Sequence, residues 1–214
     1  MMWIIIGLII SYFIGSIPTA YIFGRVLKGI DIRKFGSGNV GATNALRVLG
    51  KGPGVLVLLI DIVKGLIVTV FVADFIIGRP GFTLTAEATR LLLGFVCVCG
   101  HNWTVFLRLK GGKGVATTLG VLLGLALKLT GFSIVMLLVV MTWFVMFFAL
   151  RIVSLASVVS GISLPVYTFC FRQSPPLFYA SIFIAILVIL RHKSNIQRIL
   201  HGKESRLSFK KSPK

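Results

Sequence analysis

Val55-Leu56-Val57-Leu58-Leu59-Ile60-Asp61-Ile62-Val63-Lys64-Gly65-Leu66-Ile67-Val68-Thr69-Val70-Phe71-Val72-Ala73-Asp74-Phe75-Ile76-Ile77 decides the fold. At ~1.5 Å per residue, a helix of this length crosses the roughly 30 Å hydrocarbon core of a bilayer. The pattern recurs on both sides. Further apolar runs cover about Trp3 to Phe23, Ala88 to Leu107, Val115 to Leu129, Phe132 to Leu150, Ile152 to Phe171 and Leu177 to Leu190. Pro18 is expected to kink the first run near its end. Gly131 and Arg151 divide the middle runs, and Ser174-Pro175-Pro176 is a turn signal. No basic residue precedes the first run, so it reads as a span and not as a signal peptide. The chain has 214 residues, 57% hydrophobic and 13% charged, which is too apolar for a soluble domain. It therefore predicts an all-α integral membrane protein with seven transmembrane helices. Five is the alternative, because the fourth and seventh runs fall near or under the ~17-residue minimum. One polytopic membrane domain, 1–204, is expected, followed by a basic tail, 205–214.

Net charge is +18, from 23 Lys and Arg against 5 Asp and Glu. These charges sit in short loops and a tail between apolar runs. That is the positive-inside pattern of a membrane protein with a lipid bilayer as partner, not a nucleic-acid footprint. Either span count is odd, so the termini lie on opposite sides. With the N-terminus external, the inner loops carry Arg25, Lys28, Arg33, Lys34, Arg47, Lys51, Arg108, Lys110, Lys113 and Arg151. The tail adds Arg191, Lys193, Arg198, Lys203, Arg206, Lys210, Lys211 and Lys214. Only Arg79, Arg90, Lys128 and Arg172 fall outside, with Lys64 inside a span. The asymmetry predicts a cytoplasmic C-terminus and polar motifs clustered at the cytoplasmic face.

Two glycine-rich basic loops interrupt the apolar runs. In the first, Gly36-Ser37-Gly38-Asn39-Val40-Gly41-Ala42-Thr43-Asn44-Ala45-Leu46-Arg47, the glycines match G-x-G-x-x-G. No strand precedes them, so a dinucleotide site is not implied. A short helix from about Ala42 to Leu49 is expected, capped by Asn39 or Thr43 and ended by Gly50. Its amides and Arg47 would suit a phosphate. The second loop leads from Gly100-His101-Asn102-Trp103 to Lys110-Gly111-Gly112-Lys113-Gly114-Val115-Ala116-Thr117-Thr118. Lysines and glycines directly before an apolar helix again offer cations and free amides, although the G-K-[ST] order of a Walker loop is missing.

Asp61 and Lys64 lie three residues apart on one helix face inside a span, which predicts an ion pair. Five acids and three histidines show no metal-ligand spacing. Cys97, Cys99 and Cys170 read as small buried hydrophobes. Ser154 and Ser157 sit one turn apart at the start of the sixth run. His192 and Asn195 open the tail beside Arg191 and Lys193.

The ordered set of these segments resembles the bacterial acyl-phosphate:glycerol-3-phosphate acyltransferase family, the PlsY type. It is carried by Gly15-Ser16-Ile17-Pro18, the first glycine loop through Arg47, Asp61 to Gly65, Gly100-His101-Asn102, the second glycine loop, Ser154-Leu155-Ala156-Ser157, and Arg191-His192 with Asn195-Ile196. The resemblance implies a seven-helix inner-membrane enzyme that moves a fatty acyl group from acyl phosphate to the 1-hydroxyl of glycerol 3-phosphate, without cofactor or metal. It implies catalytic roles for Lys113, Ser157, His192 and Asn195. It matches Ser37 and Arg47 to substrate-binding positions, and with them the two loops are expected to bind substrate through Gly38, Asn39, Gly41, Thr43, Asn44, His101, Lys110, Gly111, Gly112 and Gly114. A transporter of a small organic phosphate is the alternative, though its site would be expected at the membrane midplane. The charge asymmetry has a direct test. A reporter after Arg206 should be cytoplasmic and an accessible cysteine before Trp3 external; two ends on one side would overturn the odd-span topology.

Overall fold

Pro18 breaks the first apolar run. In the computed structural model, which describes residues 2–80 and 83–207, helix α1 (Met2–Ser16) stops before it and α2 (Thr19–Lys28) starts after it. The second piece runs on to Lys28, beyond the expected end at Phe23, and Gly29 closes it in the left-handed conformation. A 3₁₀ turn (Ile32–Lys34) and a short helix α3 (Ala42–Val48) follow. Helix α4 (Lys51–Ile67) begins four residues before Val55, because Pro53 lies in the first turn, where its missing N–H has no intrahelical role. A π-helical turn (Val68–Val72) and α5 (Ala73–Ile77) complete that run. Then come α6 (Ala86–Asn102), a 3₁₀ turn (Val105–Leu107), α7 (Val115–Lys128), α8 (Phe132–Leu150), α9 (Val153–Cys170), α10 (Pro175–Arg191) and α11 (Lys193–Leu200). No strand occurs among the described residues.

Five helical stretches are long and apolar enough to cross a membrane: Met2–Lys28, Lys51–Ile77, Ala86–Leu107, Phe132–Leu150 and Val153–Cys170. The pair α10 and α11, bent by 61°, would make a sixth, and α7 is a shorter apolar helix. All seven expected apolar segments are helical. Residues 208–214 of the expected tail lie outside the described residues.

The chain forms two compact units, Met1–Thr130 and Gly131–Lys214. In the first, α1 packs on α6 and α4 on α7. Small residues make both contacts close. A Cβ on Gly15 would overlap the Cys97 carbonyl, and one on Gly100 the Tyr12 carbonyl. Gly65 and Gly120 stand the same way against the Thr117 and Ile62 carbonyls. Close backbone approach is how membrane helices gain packing energy when lipid is as apolar as leucine. The π turn frees carbonyls, and Arg90 of α6 takes them, donating to Thr69 O at 2.8 Å. Arg90 also pairs with Asp74, whose other oxygen receives Lys128 Nζ at 2.6 Å. Two of the four basic residues placed on the outer side by the sequence are therefore partners of a carboxylate.

In the second unit α8 packs on α9, and α9 on α10. Among α8 residues only Phe132, Val135, Val139 and Phe147 are buried. Val145, Phe148 and Phe169 are about two-thirds exposed or more, as suits a lipid-facing surface. Cys170 departs from its expected burial: it ends α9 between the exposed Phe169 and Phe171. Cys97 is buried and Cys99 half-buried. Gly100→Val should lower thermal stability in detergent by about 1–3 kcal/mol through overpacking against α1. Gly52→Ala, with open space at its Cβ, should be neutral or slightly stabilising.

Candidate active site

The first glycine loop is built on two side chains. Asp31 caps the 3₁₀ turn through Arg33 N at 3.1 Å and grips the Arg33 guanidinium at 2.9 and 2.7 Å. Hydrogen bonds from the Arg33 side chain hold the Asp31 carboxyl down at about 2, against the opposing effect of its burial. Arg25 and Arg33 both lie over the Tyr21 ring. Asn44 forms the second anchor. Its Oδ1 accepts from Ser37 N at 2.8 Å and its Nδ2 donates to the Ile32 and Phe35 carbonyls. Gly36, at φ 59°, has the Asn44 amide directly where a Cβ would stand. The expected helix α3 forms, but neither Asn39 nor Thr43 caps it. Extended Gly41 is the N-cap and contributes no side-chain bond, while its carbonyl accepts from Asn44 N at 3.1 Å and Ala45 N at 3.0 Å. Lys28 Nζ closes the other end on Val48 O at 2.7 Å.

The second loop is pinned to the end of α6 by backbone bonds. Gly111 N donates to Asn102 O at 3.2 Å and Gly112 N to His101 O at 3.0 Å. Gly114, at φ 75°, is the N-cap of α7. Gly112 joins the two loops. A Cβ there would lie 2.8 Å from Val40 O of the first loop and would overlap His101 Nε2. The exposed Ser37, Arg47 and Lys110 and the half-buried Gly38, Asn39, Thr43, Gly111 and Lys113 thus belong to one loop assembly above a buried histidine. Gly41, Gly112 and Gly114 are its buried backbone. Near it, the Asn102 amide and the Thr117 and Thr118 hydroxyls are buried without a hydrogen-bond partner among the described residues. The sequence reading gave none of these three a role.

Beneath the loops lies the expected ion pair. Lys64 Nζ stands 2.7 Å from Asp61 Oδ1, with both side chains buried. Lys64 also donates to Ile17 O at 2.9 Å and Gly15 O at 3.4 Å, and Thr104 Oγ1 donates to Ser16 O at 2.5 Å. These are carbonyls released by the break at Pro18. Thr19 Oγ1 donates to Asp61 at 3.0 Å. His101 Nδ1 lies 3.5 Å from Lys64 Nζ and 3.8 Å from Asp61. Its other ring nitrogen, Nε2, lies on the side of Gly112. Sequence reasoning found the pair but missed Thr19 and Thr104.

In the second unit, His192 sits at the bend between α10 and α11 and is 2% exposed. Its Nδ1 donates to Val188 O at 2.8 Å, so Nε2 is the acceptor nitrogen of the neutral ring. Asn195 Nδ2 donates to Glu204 Oε1 at 2.5 Å, and the same oxygen receives Ser154 Oγ at 2.7 Å. Ser157 Oγ donates back to Val153 O at 2.8 Å and accepts from Trp143 Nε1 at 3.2 Å. Glu204 was not foreseen, because its partners are at least six residues away in sequence. Among the described residues no group of three or more His, Cys, Asp or Glu could hold a metal.

The two units thus carry basic glycine loops and hydroxyl, amide and imidazole groups on apolar helices, the equipment of a membrane protein that handles an anionic substrate. Residues 5–202 match the glycerol-3-phosphate acyltransferase family, and the chain belongs to that family. It is 44% identical over 213 residues to a glycerol-3-phosphate acyltransferase of Thermosynechococcus vestitus, covering 95% of this chain and 96% of that one. A Thermoanaerobacter sp. relative of the same description is 38% identical, with 98% of each chain covered. Two crystal structures of PlsY, an integral membrane glycerol 3-phosphate acyltransferase, are similar at 37% identity. Its glycerol 3-phosphate form superposes with a TM-score of 0.83 over 96% of each chain, and its lysophosphatidic acid form with 0.80.

Removing one member of the buried pair leaves the other charge stranded. Asp61→Asn or Lys64→Met should each cost about 3–5 kcal/mol, read as a lower melting temperature in detergent. The double variant should lose less than the sum of the two.

Proposed function

We propose that this protein transfers a fatty acyl group from acyl phosphate to the 1-hydroxyl of sn-glycerol 3-phosphate, giving 1-acyl-glycerol 3-phosphate and inorganic phosphate for phospholipid synthesis. The observation that carries the reading is the near full-length match to glycerol-3-phosphate acyltransferases, including the PlsY structure in its glycerol 3-phosphate form. The chemistry of the loops agrees with it. Both substrates are phosphates, and the loops offer helix N-terminal amides, Arg47, Lys110 and Lys113, while the carboxylates near them are already paired.

In this reading Lys113 with the start of α7 holds one phosphate, on a loop that Gly111 and Gly112 pin to the end of α6, and Ser37 to Thr43 with Arg47 hold another. Asn44 and His101 support the loops from below. The hydroxyl oxygen attacks the acyl carbonyl, the C–O bond to phosphate breaks, and phosphate leaves. His192 and Asn195 orient the acceptor by hydrogen bonding, and Ser157 supports them. The hydroxyl proton goes to a substrate phosphate, whose second pKa lies near ~6. Phosphate is a good leaving group, so a strong side-chain base is not required. The protein would act in the bacterial cytoplasmic membrane with seven spans, its N-terminus external and its reacting face cytoplasmic, in accord with the charge asymmetry.

The experiment is an assay of purified protein in detergent with acyl phosphate and glycerol 3-phosphate. Transfer should proceed with acyl phosphate and fail with acyl-CoA; equal rates with acyl-CoA would refute the donor. Arg47→Ala and Lys113→Ala should each lower kcat/KM about tenfold or more, the equivalent of ~1.5–3 kcal/mol for a charge-assisted contact. Lys210→Ala should do little. Full activity in folded Lys113→Ala would remove the second loop from the site.

A further inference from the structure

Residues 103–109, between α6 and the second glycine loop, turn apolar side chains outward. The segment is nevertheless firmly held. Thr104 and Leu107, three apart across the 3₁₀ turn, point inward. Thr104 Oγ1 donates to Ser16 O, and Leu107 packs in the buried cluster of Ala20, Ile32 and Val40 beside the first loop. Fixed at those two points, the turn presents Val105, Phe106 and Leu109, which are 48%, 57% and 56% exposed.

The outward position of Leu109 has a conformational cost. Arg108 and Leu109 both adopt left-handed backbone, at φ 54° and 61°, and neither is glycine. L residues avoid that region because Cβ crowds the backbone, and bulky ones avoid it most. Backbone bonds keep them there: Leu109 N donates to Thr104 O at 2.9 Å and Lys110 N to Leu107 O at 3.2 Å. Asparagine or glycine at 109 would relieve the crowding and take an apolar side chain off the surface. A leucine held in this conformation with its side chain exposed points to something outside the chain that receives it.

Its neighbours identify the receiver. The Phe106 ring lies against that of Phe13, with centroids 6.2 Å apart, and Phe13 is an exposed residue of the Met2–Lys28 span. The patch is thus continuous with a surface that lipid covers. Tyr12, beside Phe13, donates to Trp103 O at 2.7 Å, and exposed Arg108 and Lys110 flank Leu109. Aromatic rings and basic side chains around an apolar patch are the composition of the layer where acyl chains meet headgroups.

We propose that residues 103–109 are an interfacial anchor. Val105, Phe106 and Leu109 insert at the headgroup boundary of the bilayer and hold the second glycine loop, which starts at the next residue, level with membrane-borne phosphate groups. The insertion stands on the geometry alone; its service to the loop rests on the acyl-transfer reading above.

The test uses the full chain in vesicles of phosphatidylethanolamine and phosphatidylglycerol. With the photoreactive p-benzoylphenylalanine in place of Phe106 or of Leu109, irradiation should give protein heavier by one phospholipid. Cross-links to a second copy of the chain in place of lipid, or no lipid adduct at either position, would overturn the anchor. The double variant Phe106→Ser/Leu109→Asn removes the patch and puts at 109 a residue that tolerates left-handed backbone. Its kcat/KM for a long-chain acyl phosphate in vesicles should fall on the order of tenfold, as for a misplaced substrate-positioning group. Leu109→Asn alone should lose part of that activity while keeping or raising the melting temperature in detergent, which separates anchoring from a purely structural role. It also carries the comparison if the double variant does not fold. Wild-type kcat/KM in the folded variants would refute the service to the loop. Wild-type protein that transfers nothing from acyl phosphate to glycerol 3-phosphate would instead sink the functional reading, and the cross-links alone would then decide the anchor.

Discussion

A single helix break dictates much of the first unit. Pro18 cannot continue the hydrogen-bond ladder of α1, so carbonyls from Gly15 to Ile17 are left inside an apolar stretch. In a bilayer each such group is expensive unless another part of the protein satisfies it. Lys64 and Thr104 supply that satisfaction from α4 and from the end of α6. A buried ammonium in turn needs a counter-charge, and Asp61 gives it one turn earlier on the same helix, steadied by Thr19 from just beyond the break. An intramembrane charge pair thus follows from a proline more than forty residues earlier in the chain. Three helices are fixed together at the level where the loops begin.

The loops inherit that rigidity. Gly111 and Gly112 hang from the carbonyls of Asn102 and His101, so the end of α6 sets where the second loop can go. His101 reaches the charge pair with one nitrogen and the underside of Gly112 with the other. The first loop is held by Asn44 at one end and by the Asp31 and Arg33 pair at the other. Glycine is required at Gly36 and Gly112 because side chains or backbone already occupy the space a Cβ would need. Preorganised amides of this kind suit the binding of charged oxygens, since they cost little to reorganise when the substrate arrives.

The apolar segments were legible because hydrophobic runs of this length have few alternatives to membrane helices. So were the Asp61 and Lys64 pairing, from its spacing, and the short helix after the first glycine loop. Boundaries were less so: α2 and α4 extend past the apolar runs because an exposed or basic turn can remain helical at a membrane surface. The capping roles read for Asn39 and Thr43 failed because Gly41 adopts the extended N-cap conformation by itself. Cys170 misled because hydrophobicity in a membrane helix does not say whether protein or lipid covers it. Thr19, Thr104 and Glu204 were invisible for a common reason. Each acts on a group far from it in sequence or across a chain reversal, and no local pattern records that.

The second unit repeats the logic of the first with different parts. A bent helix pair places His192 at its corner, and the Val188 carbonyl four residues back selects the tautomer of its ring. Glu204 selects the flip of the Asn195 amide in the same manner. Neither choice adds affinity by itself; each removes an alternative orientation that would present the wrong atom. For a reaction whose donor is already activated, the remaining demand on the protein is orientation of the acceptor and exclusion of water. Under the proposed mechanism, polar side chains whose direction is set by a neighbour would meet that demand without a strong base.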